Sequence, residues 1–503
     1  MTRLQADVGV LGAGFGGSIT ALLLQRAGLR PVLIDRGRHP RFAIGESSTP
    51  IADFVLKDLA ERYDLPGIAP LAKFGTWREQ RPELVCGLKR GFSYFRHQPG
   101  EAFRADPQHA NELLVAASFD DCRADTHWLR ADVDRFFIEQ VQAEGIPYLD
   151  ETTVRIEPGG AGWRLEGDRG GEPVRVDARF LIDATGSAGI VLRRLGIPLR
   201  VDGMATCSRA IYGHFENVVP WKDALVAAGA DVSDHPFRCD AAAVHHLLDE
   251  GWMWQLRFVN GITSAGFVLT GERAGGSGLS AEAEWESLLG RYPSLREQFA
   301  SARLVAPESG LVRTGRMQRR AGRFAGENWA VLPNTAGFVS PMHSTGIGHT
   351  LCGIERLVPM LAEHWGKRSL CRELQRYEQT LKQELELIDR LVWGCERTVD
   401  RFELFTAYAM LYFAAATTYE DRRLNGRLAS GAAFLCADEA ELVGTVERCR
   451  ARLREVLDAE AVTPEDAAEY FDFVAGAIRP FNIAGLCDRG VRNMYRYTAV
   501  PAD

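Results

Sequence analysis

Residues 6–17, ADVGVLGAGFGG, decide the fold of this chain. Val8–Leu11 has the pattern of a buried strand, and it runs directly into the GxGxxG sequence formed by Gly12, Gly14 and Gly17. A helical pattern follows, and a second strand ends at Asp35, 21 residues after Gly14. Glycines let the backbone approach a pyrophosphate, the helix N-terminus favours its negative charge, and the acidic residue accepts hydrogen bonds from a ribose. The stretch therefore predicts a dinucleotide site.

Composition limits the remaining possibilities. The chain has 503 residues, 46% of them hydrophobic, and a formal net charge of -8. This length suggests two or three packed subdomains, and the acidic balance argues against a nucleic acid partner. The longest uncharged run, 404–419, has 16 residues and is short for a membrane span of about 20. With no apolar leader at Met1, we expect a cytoplasmic protein without a membrane partner, in which 404–419 forms a core or substrate-covering helix.

Ten cysteines are scattered along the chain, and none shows CxxC spacing. We therefore expect free, buried thiols and no metal site.

The pattern of elements predicts an α/β fold. A Rossmann-type FAD-binding domain is interleaved with a β-sheet substrate domain, and a helical region ends the chain. The predicted boundaries are 1–204 for the FAD core with an inserted lysine strand, 205–320 for the substrate sheet, 321–365 for a return to the FAD core, and 366–503 for the helical subdomain. Residues 128–145 are expected to form one strong helix.

Three later segments favour FAD over NAD. Trp128-Leu129-Arg130 with Asp134 resembles the second FAD contact of glutathione-reductase-type and hydroxylase flavoproteins, which implies that Arg130 reaches the flavin side. Asp183-Ala184-Thr185-Gly186 resembles another conserved segment of those proteins, which implies that Asp183 and Gly186 bind the cofactor. Residues 331–338, which contain Gly337, lead into a helix start where such proteins hold the pyrophosphate and isoalloxazine.

Four segments resemble the flavin-dependent halogenases. Gly45-Glu46-Ser47-Ser48-Thr49-Pro50 is similar to their GES-x-x-P sequence, and residues 338–346 fit F-x-x-P-x-x-S-x-G. Trp252-Met253-Trp254 is similar to the start of W-x-W-x-I-P, and residues 86–95 resemble the lysine strand of the phenol-halogenating branch. The resemblance implies an enzyme of secondary metabolism that makes hypohalous acid from reduced FAD, O₂ and chloride or bromide. It also implies an electron-rich aromatic substrate, such as a phenol or pyrrole, free or tethered to a carrier protein.

The resemblance also implies roles for individual residues. Lys89 would deliver the halogen, with Lys73 as a rival, and Glu46 would lie at the cofactor. Thr345 and Gly346 would hold the halide, because apolar residues at helical spacing after them predict a helix N-terminus that favours an anion. His343 stands where tryptophan-halogenating members carry a glutamate, and we expect it to act as a base near neutral pH, unless it is purely structural.

Trp252 and Trp254 would separate substrate from flavin. We expect their rings to point in alternate directions along a strand, and they fit equally well as core aromatics.

One departure keeps alternatives open. Arg257 replaces the proline of the tryptophan sequence, which removes a rigid φ and adds a charge. A flavin monooxygenase of the same fold is therefore an alternative, and a flavin-binding protein without turnover is another. The chain shows no second nucleotide fingerprint for NADH, so a separate flavin reductase is the expected partner. A homodimer is also left open.

Overall fold

A computed structural model describes residues 2–160, 162–271, 278–496 and 498. The described residues form 22 strands and 14 helices, joined by loops and short 3₁₀ turns. The strands are β1 Thr2–Leu11, β2 Pro31–Ile34, β3 Cys86–Lys89, β4 Gly91–Arg96, β5 Glu112–Ala116, β6 Asp125–Trp128, β7 Tyr148–Leu149, β8 Thr152–Gly159, β9 Gly162–Arg169, β10 Glu172–Asp183, β11 Leu199–Arg200, β12 Ser208–Glu216, β13 Ala243–Leu248, β14 Gly251–Arg257, β15 Thr263–Thr270, β16 Arg303–Ala306, β17 Val312–Arg313, β18 Arg319–Ala321, β19 Ala325–Gly326, β20 Trp329–Val331, β21 Gly337–Phe338 and β22 Met494–Tyr495. The helices are α1 Phe15–Arg26, α2 Pro50–Arg62, α3 Phe74–Gln80, α4 Arg130–Ala143, α5 Ile190–Arg194, α6 Trp221–Ala227, α7 Ala281–Arg291, α8 Pro293–Gln298, α9 Pro333–Ala336, α10 Thr345–His364, α11 Leu370–Arg397, α12 Phe402–Leu424, α13 Ala440–Leu457 and α14 Pro464–Ala477.

The first sheet is a Rossmann-type sheet with strand order β19-β20-β10-β1-β2-β7. Its central strands run parallel, and their apolar residues are buried on both faces, which is why they read as continuous Val, Ile and Leu runs. Leu11 pairs with Asp183, and Asp183 pairs with Val331. The loops that follow β1, β10 and β20 therefore leave the same edge of the sheet, where ligands of such folds bind.

The second sheet is assembled from distant parts of the chain. Its order is β16-β12-β15-β14-β13-β4-β5-β22, with β17 paired to β12. Strands β4 and β5 come from the N-terminal part, β12 to β15 from the middle, and β22 from the C-terminal end. The interleaved α/β fold class expected from the sequence is confirmed.

A small third unit connects the two large sheets. Strands β3 and β6 pair with each other, and β3 continues after Arg90 into β4 of the second sheet. Lys89 ends β3, so it lies where the chain passes from this small pair into the second sheet. A further sheet, β11-β18-β21, joins the two segments that flank the second sheet in sequence.

Helix α12 contains the uncharged run 404–419. Every residue of that run is buried, between α11, α14 and the elements around α2. The expected core helix is therefore present, and an all-round apolar helix is stable because its whole surface is covered. In the described part of the chain no helix combines the length and apolar character needed to span a membrane.

Two local expectations are wrong. The helix expected over 128–145 begins at Arg130, because Trp128 is the last residue of β6 and its N–H donates to the carbonyl oxygen of Glu46 at 2.6 Å. The ten cysteines carry free thiols, but Cys122 and Cys371 are exposed rather than buried. Strand pairing in the first case, and the surface positions of a turn at Cys122 and of a helix at Cys371 in the second, are tertiary effects that a local pattern does not contain.

Candidate flavin site and buried lysine

The glycine-rich turn after β1 is shaped by close backbone packing. Gly12 has φ +97°, and a Cβ there would lie 2.7 Å from the carbonyl oxygen of Ala184. A Cβ at Gly17 would overlap the carbonyl oxygen of Gly12. Gly14 is different, since its Cβ would meet only Arg130 Nη2 at 3.4 Å and an Asp134 oxygen at 3.8 Å. Gly12 and Gly17 therefore form the turn, whereas a Cβ at Gly14 would make only ordinary van der Waals contacts in front of α1.

Asp35 lies beside this turn as an ionised carboxylate. One of its oxygens accepts a hydrogen bond from the Ala13 N–H at 2.7 Å, and Arg41 binds both oxygens at 2.6 and 2.8 Å. Burial raises the pKa of Asp35, but the hydrogen bonds and charge of Arg41 outweigh it and hold that pKa below its usual value. Arg41 was not identified from the sequence, because it stands in an irregular loop without a recognisable spacing.

Arg130 connects the glycine-rich turn to the GES loop, which is formed by residues 44–50. Its guanidinium donates to both oxygens of Asp134 at 3.0 and 2.8 Å and to the carbonyl oxygen of Ile44 at 2.8 Å. Asp134 in turn accepts the N–H of Phe15 at 3.0 Å, at the first residue of α1. A bidentate pair of this kind fixes orientation as well as distance. The Arg130 and Asp134 side chains thus hold two predicted cofactor segments together.

Glu46 is buried in the same region. Its Oε1 lies 2.8 Å from His214 Nε2, while its Oε2 has no hydrogen-bond partner among the described residues. The hydroxyl groups of Ser47 and Thr49 are also buried without such a partner in the described chain. Buried polar atoms are nearly always paired, so unpaired ones at one loop indicate a place where a ligand supplies the partner.

Asp183 shapes its loop through its carboxylate. The oxygens accept hydrogen bonds from the Thr185 N–H and hydroxyl at 3.0 and 2.6 Å and from the Val191 N–H at 2.7 Å. Burial raises its pKa, and these hydrogen bonds act in the opposite direction. Gly186 has φ +60° and donates its N–H to Thr335 Oγ1 at 2.9 Å. These contacts join the loop after β10 to helix α9.

Gly337 is held by close packing. A Cβ there would lie 2.6 Å from Leu385 Cδ1 and 2.9 Å from the carbonyl oxygen of Arg319. Its absence lets β21 lie against α11, so the observed contacts explain this glycine without a ligand.

Thr345 and Gly346 form the N-terminus of the 20-residue helix α10. Ser344 precedes them with φ +53°, a left-handed conformation that turns the chain sharply into the helix. A Cβ at Gly346 would meet no described heavy atom within 4 Å. The helix N-terminus carries free N–H groups and a partial positive charge, so this open space suits an anion.

The N-terminal ends of α1 and α2 approach α10. A Cβ at Gly348 of α10 would lie 3.4 Å from Thr49 Oγ1 at the start of α2. A Cβ at Gly16 of α1 would lie 3.1 Å from the side chain of Thr350. The three helix ends, the open space at Gly346 and the unpaired atoms at 46–49 together fit an anionic dinucleotide.

Lys89 is fully buried. It stands opposite Asp125 in the β3–β6 pair, its Nζ donates to the carbonyl oxygen of Ser48, and the same atom lies 4.1 Å from the centroid of the Phe92 ring. Burial lowers the pKa of Lys89 to about 8, although nearby carboxylates act to raise it. A substantial fraction of this lysine is therefore an uncharged amine near pH 8.

Lys73 belongs to the same buried cluster but in a different state. Its Nζ lies 3.1 Å from Asp53 and 3.6 Å from Asp125, both of which are buried. Burial opposes its charge, but these carboxylates raise the pKa of Lys73. Glu420 of α12 completes the cluster, and burial together with Asp125 raises its pKa to about 8. Asp53, Asp125 and Glu420 were missed by sequence reasoning, since single acidic residues in three distant segments carry no pattern.

His343, the residue expected to act as a base, is buried. Its ring stacks on Tyr412, with centroids 4.3 Å apart, and its Nε2 lies 3.7 Å from Cys395 Sγ. Burial lowers the pKa of His343 to about 3, so the imidazole is neutral. The Tyr412 ring also meets Phe92 at 6.0 Å, which connects His343 to the surroundings of Lys89 through aromatic rings.

Trp252 and Trp254 lie on the same face of β14, so the expectation of alternate directions is wrong. Their rings are 6.3 Å apart, as the two-residue period of a strand requires. Trp252 packs on His245 at 5.0 Å, and its Nε1 is buried with no partner in the described structure. Trp254 Nε1 donates to Ser264 Oγ at 3.2 Å. Arg257 is the last residue of β14, and its side chain donates to the carbonyl oxygen of Val218 at 2.9 Å.

Fold and site together define an FAD-binding α/β protein, and comparison with known proteins gives its family. The family described as tryptophan halogenase matches residues 124–395, more than half of the chain. The chain belongs to that family. It is a flavin-dependent halogenase, an enzyme that uses reduced FAD and halide.

Similar proteins cover nearly the whole chain. The monodechloroaminopyrrolnitrin halogenase PrnC of Pseudomonas fluorescens is 24% identical over 99% of this chain and 90% of that protein. The tetracycline 7-halogenase of Kitasatospora aureofaciens is 28% identical over 83% of this chain and 75% of that protein. The crystal structure of halogenase PltM in complex with phloroglucinol and FAD has a TM-score of 0.84 at 24% identity, covering 97% and 99% of the two chains. The fold is therefore shared over its full length.

Gly14→Val should abolish FAD binding without unfolding the protein. The branched side chain fills the space in front of α1 where the turn offers its N–H groups, while the protein atoms it meets first are 3.4 Å away. FAD titration by fluorescence, with circular dichroism as the check on folding, measures both effects. Gly290→Val is the matched control, because that glycine is exposed on α7 with open space around it. Wild-type FAD affinity in Gly14→Val would contradict the site.

Lys89→Met and Lys73→Met should have opposite effects on stability. Because folding lowers the pKa of Lys89 from 10.5 to about 8, the charged form is disfavoured in the folded state at pH 7. A shift of this size corresponds to a cost of about 3 kcal/mol in the stability of the folded protein. Lys89→Met removes this cost, which outweighs the loss of the hydrogen bond to Ser48, so the variant should be more stable. Removing Lys73 instead leaves two buried carboxylates without their cation, a loss of roughly 1–3 kcal/mol after allowance for its partial exposure.

The pH dependence gives the sign of the Lys89 effect. Between about pH 8 and pH 10.5 the unfolded state binds more protons at this residue, so wild-type stability rises with pH relative to Lys89→Met. Urea unfolding at pH 7 and pH 10 measures the difference. If the stability of Lys89→Met relative to the wild type instead rises between those pH values, Lys89 is fully charged in the folded protein.

Proposed function

We propose that this enzyme halogenates an electron-rich aromatic compound, a phenol or a pyrrole-like ring, and that Lys89 delivers the halogen. The observation that carries the proposal is a fully buried lysine whose pKa is lowered to about 8 and whose amine lies against an aromatic ring. Structural lysines are rarely buried in this way without a paired carboxylate. Lys73 has such a pair, and Lys89 donates instead to a neutral carbonyl.

The cofactor would be held along one edge of the first sheet. Asp35 would bind the ribose, Gly14 and the α1 N-terminus the pyrophosphate, and the loops with Glu46, Arg130 and Asp183 would surround the remainder. When bound in its reduced form, FAD supplies hypohalous acid from O₂ and halide. The N–H groups of Thr345 and Gly346 would hold the halide at the α10 N-terminus.

Lys89 can act on hypohalous acid in two ways. As an ammonium it donates a hydrogen bond that positions and polarises the acid, and as a free amine it is halogenated and passes the halogen on. A pKa of about 8 keeps both forms populated near neutral pH. The fixed bond from Nζ to the Ser48 carbonyl oxygen holds the amine at the loop that also carries Glu46.

The substrate side is supported by the rings around Lys89. Phe92, Tyr94, His245, Trp252 and Tyr412 form a continuous aromatic cluster, in which the hydroxyl of Tyr94 and the Trp252 N–H are buried without a partner in the described residues. Aromatic walls with a few polar atoms suit a flat, hydroxylated or N–H-bearing ring. Phloroglucinol is bound in the PltM structure, and tetracycline is named for a relative.

His343, in its neutral form, would line this cluster rather than remove a proton. Trp252 and Trp254 would separate the substrate from the flavin.

A separate flavin reductase would supply reduced FAD, and the free thiols fit a reducing cytoplasm. Product analysis distinguishes a free substrate from one attached to a carrier protein. The mass of the native enzyme distinguishes a monomer from a homodimer.

Oxygen transfer to the substrate, as in a flavin monooxygenase of the same fold, is a second activity that we consider. Arg257 favours it, since the charged side chain replaces a rigid proline at the end of the tryptophan row and reaches toward Val218. Oxygen transfer occurs directly at the flavin and needs no distant lysine. The two functions therefore differ in their dependence on Lys89.

Lys89→Met should lose halogenated product while FAD binding and NADH-linked flavin reoxidation continue. Removing a positioned proton donor typically costs about 10²–10⁴-fold in rate. Mass spectrometry of products from a phenol and pyrrole panel, with a reductase and chloride or bromide, measures it. Lys73→Met is the control and should retain product per folded molecule. Halogenated product that does not depend on Lys89 would contradict delivery by this lysine, oxygenated product would show oxygen transfer at the flavin, and loss of product in Lys73→Met alone would transfer the role to Lys73.

Bromide should bind at the N-terminus of α10. Crystals of the FAD complex soaked in bromide should show an anomalous peak beside the amides of Thr345 and Gly346, where the helix end is positive and the space is open. Peaks only at other sites would contradict the halide assignment.

A further inference from the structure

Three metal-ligating side chains meet far from Lys89. His109, Glu112 and His235 each place one ligand atom within 4.8 Å of the others. Glu112 begins β5 and pairs with Phe95, whereas Gly91, next to the Lys89 segment, pairs with Ala116 at the other end. Glu112 therefore lies four residues along the β4–β5 pair from the level of Gly91, roughly 13 Å at the rise of a strand.

The hydrogen-bond pattern leaves a lone pair facing a carboxylate. His109 Nε2 lies 2.8 Å from an Asp234 oxygen, which assigns its proton to that side. The other ring nitrogen, Nδ1, then presents a lone pair to Glu112 Oε2 at 3.4 Å, and it is buried without a hydrogen-bond partner in the described chain. Two electron-rich atoms facing each other are stable only with a cation between them or with a second proton on the imidazole.

Two of the three spacings between the ligand atoms are close to those around a zinc ion, and all three lie within 4.8 Å. Zn²⁺ binds nitrogen and oxygen at about 2.0–2.2 Å in tetrahedral geometry, which separates ligand atoms by roughly 3.4 Å. His109 Nδ1 is 3.4 Å and His235 Nε2 is 3.0 Å from Glu112 Oε2. Glu112 Oε1 and His235 Nδ1 are also buried and unpaired within the described structure, so Glu112 retains capacity for a ligand bond.

Surrounding contacts orient these ligands. Asp234 on His109 Nε2 has the arrangement in which a carboxylate fixes the tautomer of a metal-bound histidine. His109 is held with φ +56°, a strained left-handed conformation, and its carbonyl oxygen accepts a hydrogen bond from Asn493 at 2.9 Å. Arg496 donates to the carbonyl oxygen of Asp234 at 2.7 Å. The C-terminal residues Asn493 and Arg496 thus hold the loops that carry His109 and Asp234.

We propose that His109, Glu112 and His235 bind a Zn²⁺ ion whose fourth tetrahedral position is filled by water. The ion would join the loop before β5 to the loop between α6 and β13, which are over 120 residues apart in sequence. Its position away from Lys89 and the flavin loops separates it from the halogenation chemistry. The proposal therefore does not rest on the proposed function.

The test uses the full-length FAD-bound protein. After incubation with Zn²⁺ and removal of loosely bound metal, elemental analysis should find about one zinc per chain that Glu112→Gln does not retain. Glutamine keeps the shape and a hydrogen-bond acceptor, so a cluster held by hydrogen bonds alone would tolerate the change. Glu101→Gln, an exposed change in the preceding loop, is the matched control and should retain zinc.

Thermal unfolding provides a readout that does not depend on the variant folding. A strong chelator should lower the unfolding midpoint of the wild type and Glu101→Gln, and added Zn²⁺ should restore it, because an ion that binds only the folded state stabilises it. Co²⁺ substitution should give the visible absorption of a tetrahedral site with nitrogen and oxygen ligands. Substoichiometric zinc in the wild type, an unchanged midpoint with chelator, or equal zinc in Glu112→Gln would each overturn the proposal.

Discussion

The parallel alignment of β1, β10 and β20 is the constraint on which the site depends. Because Leu11, Asp183 and Val331 stand side by side, the three loops that follow them leave one edge of the sheet together. The glycine turn, the Asp183 loop and the segment leading into α10 are thereby placed within reach of a single cofactor. The Arg130–Asp134 pair then adds the GES loop to this group, through the Phe15 amide on one side and the Ile44 carbonyl on the other.

Electrostatics divide the centre of the molecule into two regions. Along the sheet edge, helix N-termini at α1, α2 and α10 present positive ends to a space that suits phosphate and halide. In the second region two lysines and three carboxyl groups are buried together. Burial lowers the pKa of Lys89 and raises the pKa of Glu420, whereas the neighbouring carboxylates raise the pKa of Lys73. Lys73 stays charged because it has carboxylate partners, and Lys89 loses its proton more readily because its direct partner is a carbonyl. One fold thus holds a lysine paired with carboxylates and a lysine bonded to a neutral carbonyl.

The aromatic cluster links this chemistry to the second sheet. Phe92 contacts the Lys89 amine, Tyr412 contacts both Phe92 and His343, and Trp252 packs on His245. These rings come from β4, β13, β14, α12 and the segment before α10. Interleaving of the two domains is therefore a requirement of the site, since no single continuous segment supplies both the amine and its aromatic surroundings.

The sequence by itself determined the dinucleotide turn, the fold class and the helix that begins at Thr345, because glycine spacing, strand–helix alternation and helix starts are local properties of the chain. Only the tertiary structure decided that Lys73 has carboxylate partners while Lys89 donates to a carbonyl oxygen. It alone also stacked the His343 ring on Tyr412 and placed Trp252 and Trp254 on one face of their strand. It also brought His109 and Glu112 to His235. Protonation depends on burial and on neighbours from distant segments, and a local sequence pattern contains neither.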